Sequence, residues 1–245
     1  MSEQKTAIVT GASRGIGHAV AERFRSLGWR VITVSREPLP GQCPWSRTEN
    51  THVALDLSDL DEIVRAAAAL RPLLRHGQLH AIVNNAGISP KGPGGSRLNS
   101  LQTDIKVWQS MFNTNFYAPL VLAREFAAEL SAARGSVVNL CSIAAHRVHP
   151  FAGSAYATSK AALAALTREM ANDIAPLGVR VNAVTPGEID TSILSPGTEA
   201  IVQNEIPMRR LGSPREVADT IFFLCSEQAS YITGAEIPID GGQQV

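Results

Sequence analysis

The sequence predicts an α/β protein in which one doubly wound, mostly parallel sheet carries helices on both faces, in a single domain over residues 1–245. Three observations predict it. Short unbroken Val/Ile/Leu runs alternate with longer stretches of helical periodicity, the pattern of a parallel sheet covered on both sides. The apolar fraction is 44% of 245 residues, enough for one large core, and no linker, internal repeat or low-complexity stretch divides the chain. A glycine-rich turn, finally, follows the first apolar run and opens a helical pattern, so the chain starts as strand, turn and helix.

The elements follow in order. A strand is expected at Ala7–Thr10, then the turn Thr10-Gly11-Ala12-Ser13-Arg14-Gly15-Ile16-Gly17, then a helix near Ile16–Leu27. The run Arg30–Val34 is the second strand. Residues 37–50 carry Pro38, Pro40 and Pro44, which remove donors and clash inside helices, so a loop is predicted there. His52–Leu55 is a strand, and Asp56-Leu57-Ser58-Asp59 leads into a helix near Leu60–Leu70, with Ser58 the favoured cap. Ala81–Asn84 is a strand that leaves through Asn85-Ala86-Gly87 into a loop, 88–104, rich in Pro and Gly. That loop either shapes a pocket or is a surface insertion. One long helix is expected at Ile105–Leu130, with Asn115 inside it, and then a strand at Ser136–Leu140 just before Ser142. A helix at Ser154–Ile174 holds Tyr156 and Lys160, a strand at Arg180–Val184 precedes Pro186-Gly187, and residues 192–210 are rich in breakers, as a mobile lid is. A helix at Pro214–Leu224 and a strand at Glu236–Ile239 end the chain.

The chemistry begins in the first turn. Backbone N–H groups at a helix N-terminus point outward, and the helix dipole favours an anion such as phosphate there. Glycines at Gly11, Gly15 and Gly17 allow the tight turn and the close approach of a pyrophosphate. The spacing is G-x-x-x-G-x-G rather than the commoner G-x-G-x-x-G. Tyr156 and Lys160 stand at i and i+4, on one helix face, and Ser142 precedes Tyr156 by fourteen positions. Taken one at a time, each of these residues also suits a plain structural role: a surface pair, a turn serine, a solvated asparagine. They occur together and in order, and with the glycine turn, Asn85-Ala86-Gly87 and Pro186-Gly187 the whole chain resembles the short-chain dehydrogenase/reductase family in its single-domain, Rossmann-like form, similar to 3-oxoacyl-acyl-carrier-protein reductases.

The resemblance implies a nicotinamide cofactor held by Gly11, Ser13, Arg14, Gly15, Ile16, Gly17, Asn85, Ala86 and Gly87. Asp56 and Leu57 would contact the adenine, while Pro186, Gly187, Ile189 and Thr191 would receive the carboxamide. Where NAD-binding relatives carry an acid, this chain has Ser35 followed by Arg36. Serine leaves room for a 2′-phosphate, and Arg36 with Arg14 supplies charge for it. NADP(H) is therefore expected, with NAD(H) the alternative. The implied catalytic set is Asn115, Ser142, Tyr156 and Lys160. Tyr156 would be the general acid/base, Ser142 would orient the substrate oxygen, and Asn115 would anchor a relay water. An ammonium about 4 Å from the phenol would stabilise phenolate by roughly 4 kcal/mol at an effective dielectric of 20. Lys160 would thus lower the tyrosine pKa and also hold the ribose hydroxyls.

Composition bounds the rest. Lys and Arg (22) balance Asp and Glu (22), which argues against nucleic acid as a partner. Cys43, Cys141 and Cys225 have no metal-ligand spacing, and free thiols in a reducing cytosol are the expectation. No signal segment or membrane-length apolar run is present, so a cytoplasmic protein is expected. No metal is expected, since neither acids nor cysteines converge in sequence on His146 and His149. The substrate would be a small carbonyl or alcohol; Lys91, His146, Arg147 and His149 are either merely solvated loop residues or favour a polar or anionic one. The family's ending, Thr233-Gly234 to Asp240-Gly241-Gly242, and the alanines of the Tyr156 helix suit a homotetramer or homodimer, although the alanines suit core packing equally. A sugar or polyol dehydrogenase and a non-catalytic cofactor-binding protein are the competing readings.

Overall fold

The computed structural model describes residues 4–37, 51–192, 194–195 and 197–245, so the predicted proline-rich loop, like Cys43, lies almost wholly outside the described residues. Seven strands, β1 (Thr6–Thr10), β2 (Arg30–Val34), β3 (His52–Val53), β4 (Ala81–Asn84), β5 (Ser136–Leu140), β6 (Arg180–Pro186) and β7 (Glu236–Ile239), form one parallel sheet. Its order is β3-β2-β1-β4-β5-β6-β7. The direction of winding reverses between β1 and β4, and a parallel sheet opens a crevice beyond its strand ends at that point.

Strand side chains alternate between two cores. Ala7 and Val9 of β1 face α1 (Gly15–Ser26) and α8 (Pro214–Cys225) through Phe24, Ile221 and Leu224. Ile8 faces α2 (Leu60–Leu70) and the helices after β4 and β5 through Ile63, Leu122 and Met170. Burying each such large side chain contributes about 1.5–3 kcal/mol. β3 keeps only two of the residues expected at His52–Leu55, and beyond them Leu55 N–H still reaches Ser35 O at 3.4 Å. The cap of α2 is Asp59, whose carboxylate accepts from Glu62 N–H at 2.9 Å. Ser58, expected there, instead donates its N–H and hydroxyl to Asp56.

The expected helix Ile105–Leu130 is three: α3 (Ile105–Phe112), α4 (Ala118–Glu125) and α5 (Ala127–Ala133). A π turn over Asn113–Tyr117 joins the first two, with Ala118 N–H reaching back to Asn113 O. Proline explains it. Pro119 has no N–H to close an α-type bond onto the Asn115 carbonyl, and the ladder slips by one residue. α6 (Ser154–Ile174) runs unbroken, and the breaker-rich stretch after β6 contains a short helix, α7 (Thr198–Asn204). Among the described residues no helix is long and apolar enough to cross a membrane, and no group of three or more His, Cys, Asp or Glu side chains can hold a metal.

Candidate active site

Four strands of this sheet, β1, β4, β5 and β6, empty their C-terminal ends into one cleft of about 530 Å³. The turn after β1 forms its floor. Gly11 and Gly15 adopt φ of +66° and +57°, the left-handed region that glycine enters freely. Gly17 is needed for space: a Cβ there would lie 2.3 Å from Gly11 O and from Asn85 Nδ2. Thr10 and Asn85 lock the turn onto β4. The Thr10 hydroxyl accepts from the N–H groups of Asn85 and Ala86, and Asn85 Nδ2 donates to Thr10 O and Gly11 O. The Asn85 amide thus shapes the turn, and it is the backbone of Ala86 and Gly87 that runs along the cleft. α1 begins after Arg14 with no side-chain cap, so its first N–H groups open into the cleft.

The catalytic candidates meet on the other side. Ser142, just past β5, lies close enough to the Tyr156 hydroxyl to favour its phenolate, and its own hydroxyl accepts from Ala144 N–H at 3.2 Å. Lys160 is 2% exposed, and its Nζ donates to Leu140 O at 2.6 Å and lies 6.0 Å from the Tyr156 ring centroid. An ammonium has three donors, which leaves two for the cleft that Lys160 lines. Asn115 is fully buried, and its side chain is spent on protein: Oδ1 accepts from Ile88 N–H, and Nδ2 donates to Ile88 O and Ser159 Oγ. The feature that Asn115 can offer a water is its main-chain carbonyl, freed by Pro119.

The electrostatics differ from the expected pattern. Tyr156 titrates above the ordinary phenol, because burial disfavours phenolate more strongly than the Ser142 hydrogen bond favours it. Lys160 does not lower it here. The lysine is itself pushed down to about 8 by burial. Cys141, beside both, is raised by burial to about 12 and is inert as a nucleophile.

Ser35, Arg36, Arg14, Asp56 and Leu57 all line the far end of the cleft. Ser35 donates its hydroxyl to Glu37 O, and Arg14 and Arg36 are exposed. Asp56 titrates low, mainly through the Ser58 N–H bond, with a smaller contribution from the Arg36 charge. At the near end, Pro186, Gly187, Ile189 and Thr191 line the cleft, and a Cβ on Gly15 would come within 3.5 Å of Thr191 Cγ2. The segment after β6 therefore faces the glycine turn. Uncapped N–H groups, two positive-φ glycines and a buried ammonium with spare donors fit a dinucleotide lying from Arg36 to Tyr156.

The loop residues divide. His146 bonds Glu236 and Arg147 bonds Glu205 and Gln243 O, away from the cleft. His149 and Lys91 line it. An acid does reach His149: Glu188, thirty-nine residues on, lies 2.6 Å away, brought by the turn after β6, a proximity no local spacing reveals. The sequence reading also missed a buried polar chain, Asn84 Nδ2 to Asn139 Oδ1 and Asn139 Nδ2 to Thr167 Oγ1, which ties β4 and β5 to α6 and fixes the register of Tyr156 and Lys160. The signal was Asn139, a polar residue inside an apolar run. Ser159, which donates to Tyr156 O and accepts from Asn115, was missed too.

Known proteins resemble the chain over its length. Residues 11–244 match the family model described as enoyl-(acyl carrier protein) reductase. The chain is 55% identical over 244 residues to Protein FixR of Bradyrhizobium diazoefficiens, covering 99% of this chain and 88% of that one. It is 35% identical to the 3-oxoacyl-[acyl-carrier-protein] reductase FabG of Pseudomonas aeruginosa, covering 97% and 96%. A crystal structure of a short-chain dehydrogenase/reductase family oxidoreductase from Brucella ovis, in complex with a partially ordered NAD, superposes with a TM-score of 0.83 at 54% identity, covering 97% and 100%. A 3-oxoacyl-[acyl-carrier protein] reductase with bound NAD from Brucella melitensis gives 0.87 at 30% identity, covering 98% and 91%.

Proposed function

Since the chain belongs to the short-chain dehydrogenase/reductase family, and is an oxidoreductase of CH–OH or carbonyl groups with NAD(P), we propose that it interconverts a ketone and a secondary alcohol with NADP(H). The observation that carries this is a nearly fully buried lysine one helical turn from Tyr156, with Ser142 beside the phenol and all three lining one dinucleotide-sized cleft. A bound nicotinamide supplies the hydride donor or acceptor. The protein's own groups handle the proton. Ser142 holds the substrate oxygen against the Tyr156 phenol, and Tyr156 gives its proton to that oxygen in reduction and takes it in oxidation. Lys160, titrating near 8, can donate or accept a proton close to neutrality, and passes it toward solvent by a water held on the Asn115 carbonyl. Residues 192–210 act as the lid that excludes water.

The arginines at the far end of the cleft support NADP(H): Ser35 itself carries no carboxylate, and Arg14 and Arg36 line this end together with Glu37 and Asp56. NAD(H) is the second reading, favoured by the NAD found in the Brucella ovis structure. Tyr156→Phe tests the chemistry. Turnover is expected to fall by about two to four orders of magnitude, the scale of general acid–base catalysis, with the NADPH Kd within twofold of wild type. Retained turnover, or lost cofactor binding, would overturn the role given to Tyr156.

A further inference from the structure

We propose that the cleft wall formed by Glu188, His149 and Lys91 is a receptor for a neutral, polyhydroxylated small molecule, the substrate of the reaction at Tyr156. This rests on the oxidoreductase reading above. Glu188 and His149 are both nine-tenths buried, with His149 Nε2 donating to Glu188 Oε1 at 2.6 Å. His149 Nδ1 accepts from Phe151 N–H at 3.2 Å, so the imidazole proton sits on Nε2 and the ring is a neutral donor. That N–H occupies Oε1 of the carboxylate, and Oε2 is left as an acceptor. The opposing charge is Lys91, half-buried, which spends one donor on Phe151 O and feels the field of Glu188.

The wall thus carries one negative and one positive group that offset each other. A ligand carboxylate meets Glu188, and a ligand amine meets Lys91. An acyl chain leaves Glu188 Oε2 and the remaining Lys91 donors desolvated without partners, the costly arrangement for buried polar atoms. Hydroxyl groups meet both demands at once, since each donates to the carboxylate and accepts from the ammonium.

Two measurements test this on the intact protein loaded with NADP+ or NAD+: oxidation rates for xylitol, sorbitol, cyclohexanol and a 3-hydroxyacyl thioester, and calorimetric binding of the polyols. Wild type is expected to favour a polyol over cyclohexanol and the thioester in kcat/KM. That preference should drop by roughly ten- to a hundredfold in Glu188→Gln and in Lys91→Met, the scale of one hydrogen bond to a charged group. Lys91 is only half-buried and stands outside the hydrophobic core, so Lys91→Met keeps the test decisive if Glu188→Gln misfolds. A wild-type preference for cyclohexanol or the thioester, or a polyol preference that survives in both folded variants, overturns the receptor and leaves the oxidoreductase reading standing. Polyol binding that both variants lose, with no alcohol or carbonyl turned over, upholds the receptor and overturns the reading at Tyr156.

Discussion

Lys160→Met should make the protein more stable and inactive. The lysine is almost fully buried, and its pKa drops from 10.5 to about 8. Burial leaves the ammonium little solvent to screen it, and that shift costs the folded state about 3 kcal/mol at 1.36 kcal/mol per unit. Methionine fills a similar volume without charge but leaves Leu140 O without its donor, which returns about 1 kcal/mol. The net gain at pH 7 is about 2 kcal/mol, or roughly 4–8 °C in Tm for a chain of this size. The sign with pH follows from proton counts. Between pH 8 and 10.5 the unfolded chain binds the proton that the folded lysine has lost, so wild-type stability climbs with pH over that window. The advantage of the variant is complete below pH 8 and gone by pH 10.5. Thermal unfolding of both proteins at pH 7 and pH 10 measures it, with carbonyl reduction alongside. A variant less stable than wild type at pH 7, or an advantage that does not shrink toward pH 10, would refute the reasoning.

Arg36→Ala should weaken NADPH roughly ten- to hundredfold, from about 1.5–3 kcal/mol of charged hydrogen bonding, and leave NADH almost unchanged; equal losses in fluorescence titrations would remove Arg36 from cofactor choice. Gly17→Ala drives a Cβ into Gly11 O and Asn85 Nδ2, so overpacking should cost about 1–3 kcal/mol and abolish tight cofactor binding, read as lowered Tm and lost NADPH fluorescence enhancement. Because burial holds the Tyr156 proton, reduction should stay level through neutral pH and fall only in alkali, while oxidation rises with pH; pH–rate profiles in both directions check this, and oxidation fastest below neutrality would contradict it.

Much of the fold and site could be read locally. The strands are short apolar runs bounded by breakers, and all seven lie within two residues of their expected bounds. The glycine turn and the Tyr156–Lys160 pair carry their geometry in their own spacing. What stayed hidden depends either on local bonds that compete with one another or on residues distant in sequence. The π turn at Asn113–Tyr117 needed the missing N–H of Pro119 to be weighed against helical periodicity. Asp59 replaced Ser58 as a cap because the Ser58 N–H and hydroxyl are held by Asp56. Glu188 meets His149 only because β5 and β6 are neighbours, and Lys160 fails to lower Tyr156 only because both are buried.

That last point joins the chemistry to the energetics. Burial raises acids and lowers bases, so one desolvated wall moves the Tyr156 phenol up, the Cys141 thiol to about 12 and the Lys160 ammonium down to about 8. The two acids stay neutral at physiological pH, and the base comes within reach of it. On the proposed mechanism, a neutral phenol beside Ser142 is the proton donor for a nascent alkoxide in reduction. Nothing in the core requires a lysine at position 160: an apolar residue there would leave the sheet, α6 and the Asn84–Asn139–Thr167 chain intact. The lysine is destabilising by an amount that the methionine variant reads out, and a buried charge of that cost is retained where it does chemistry.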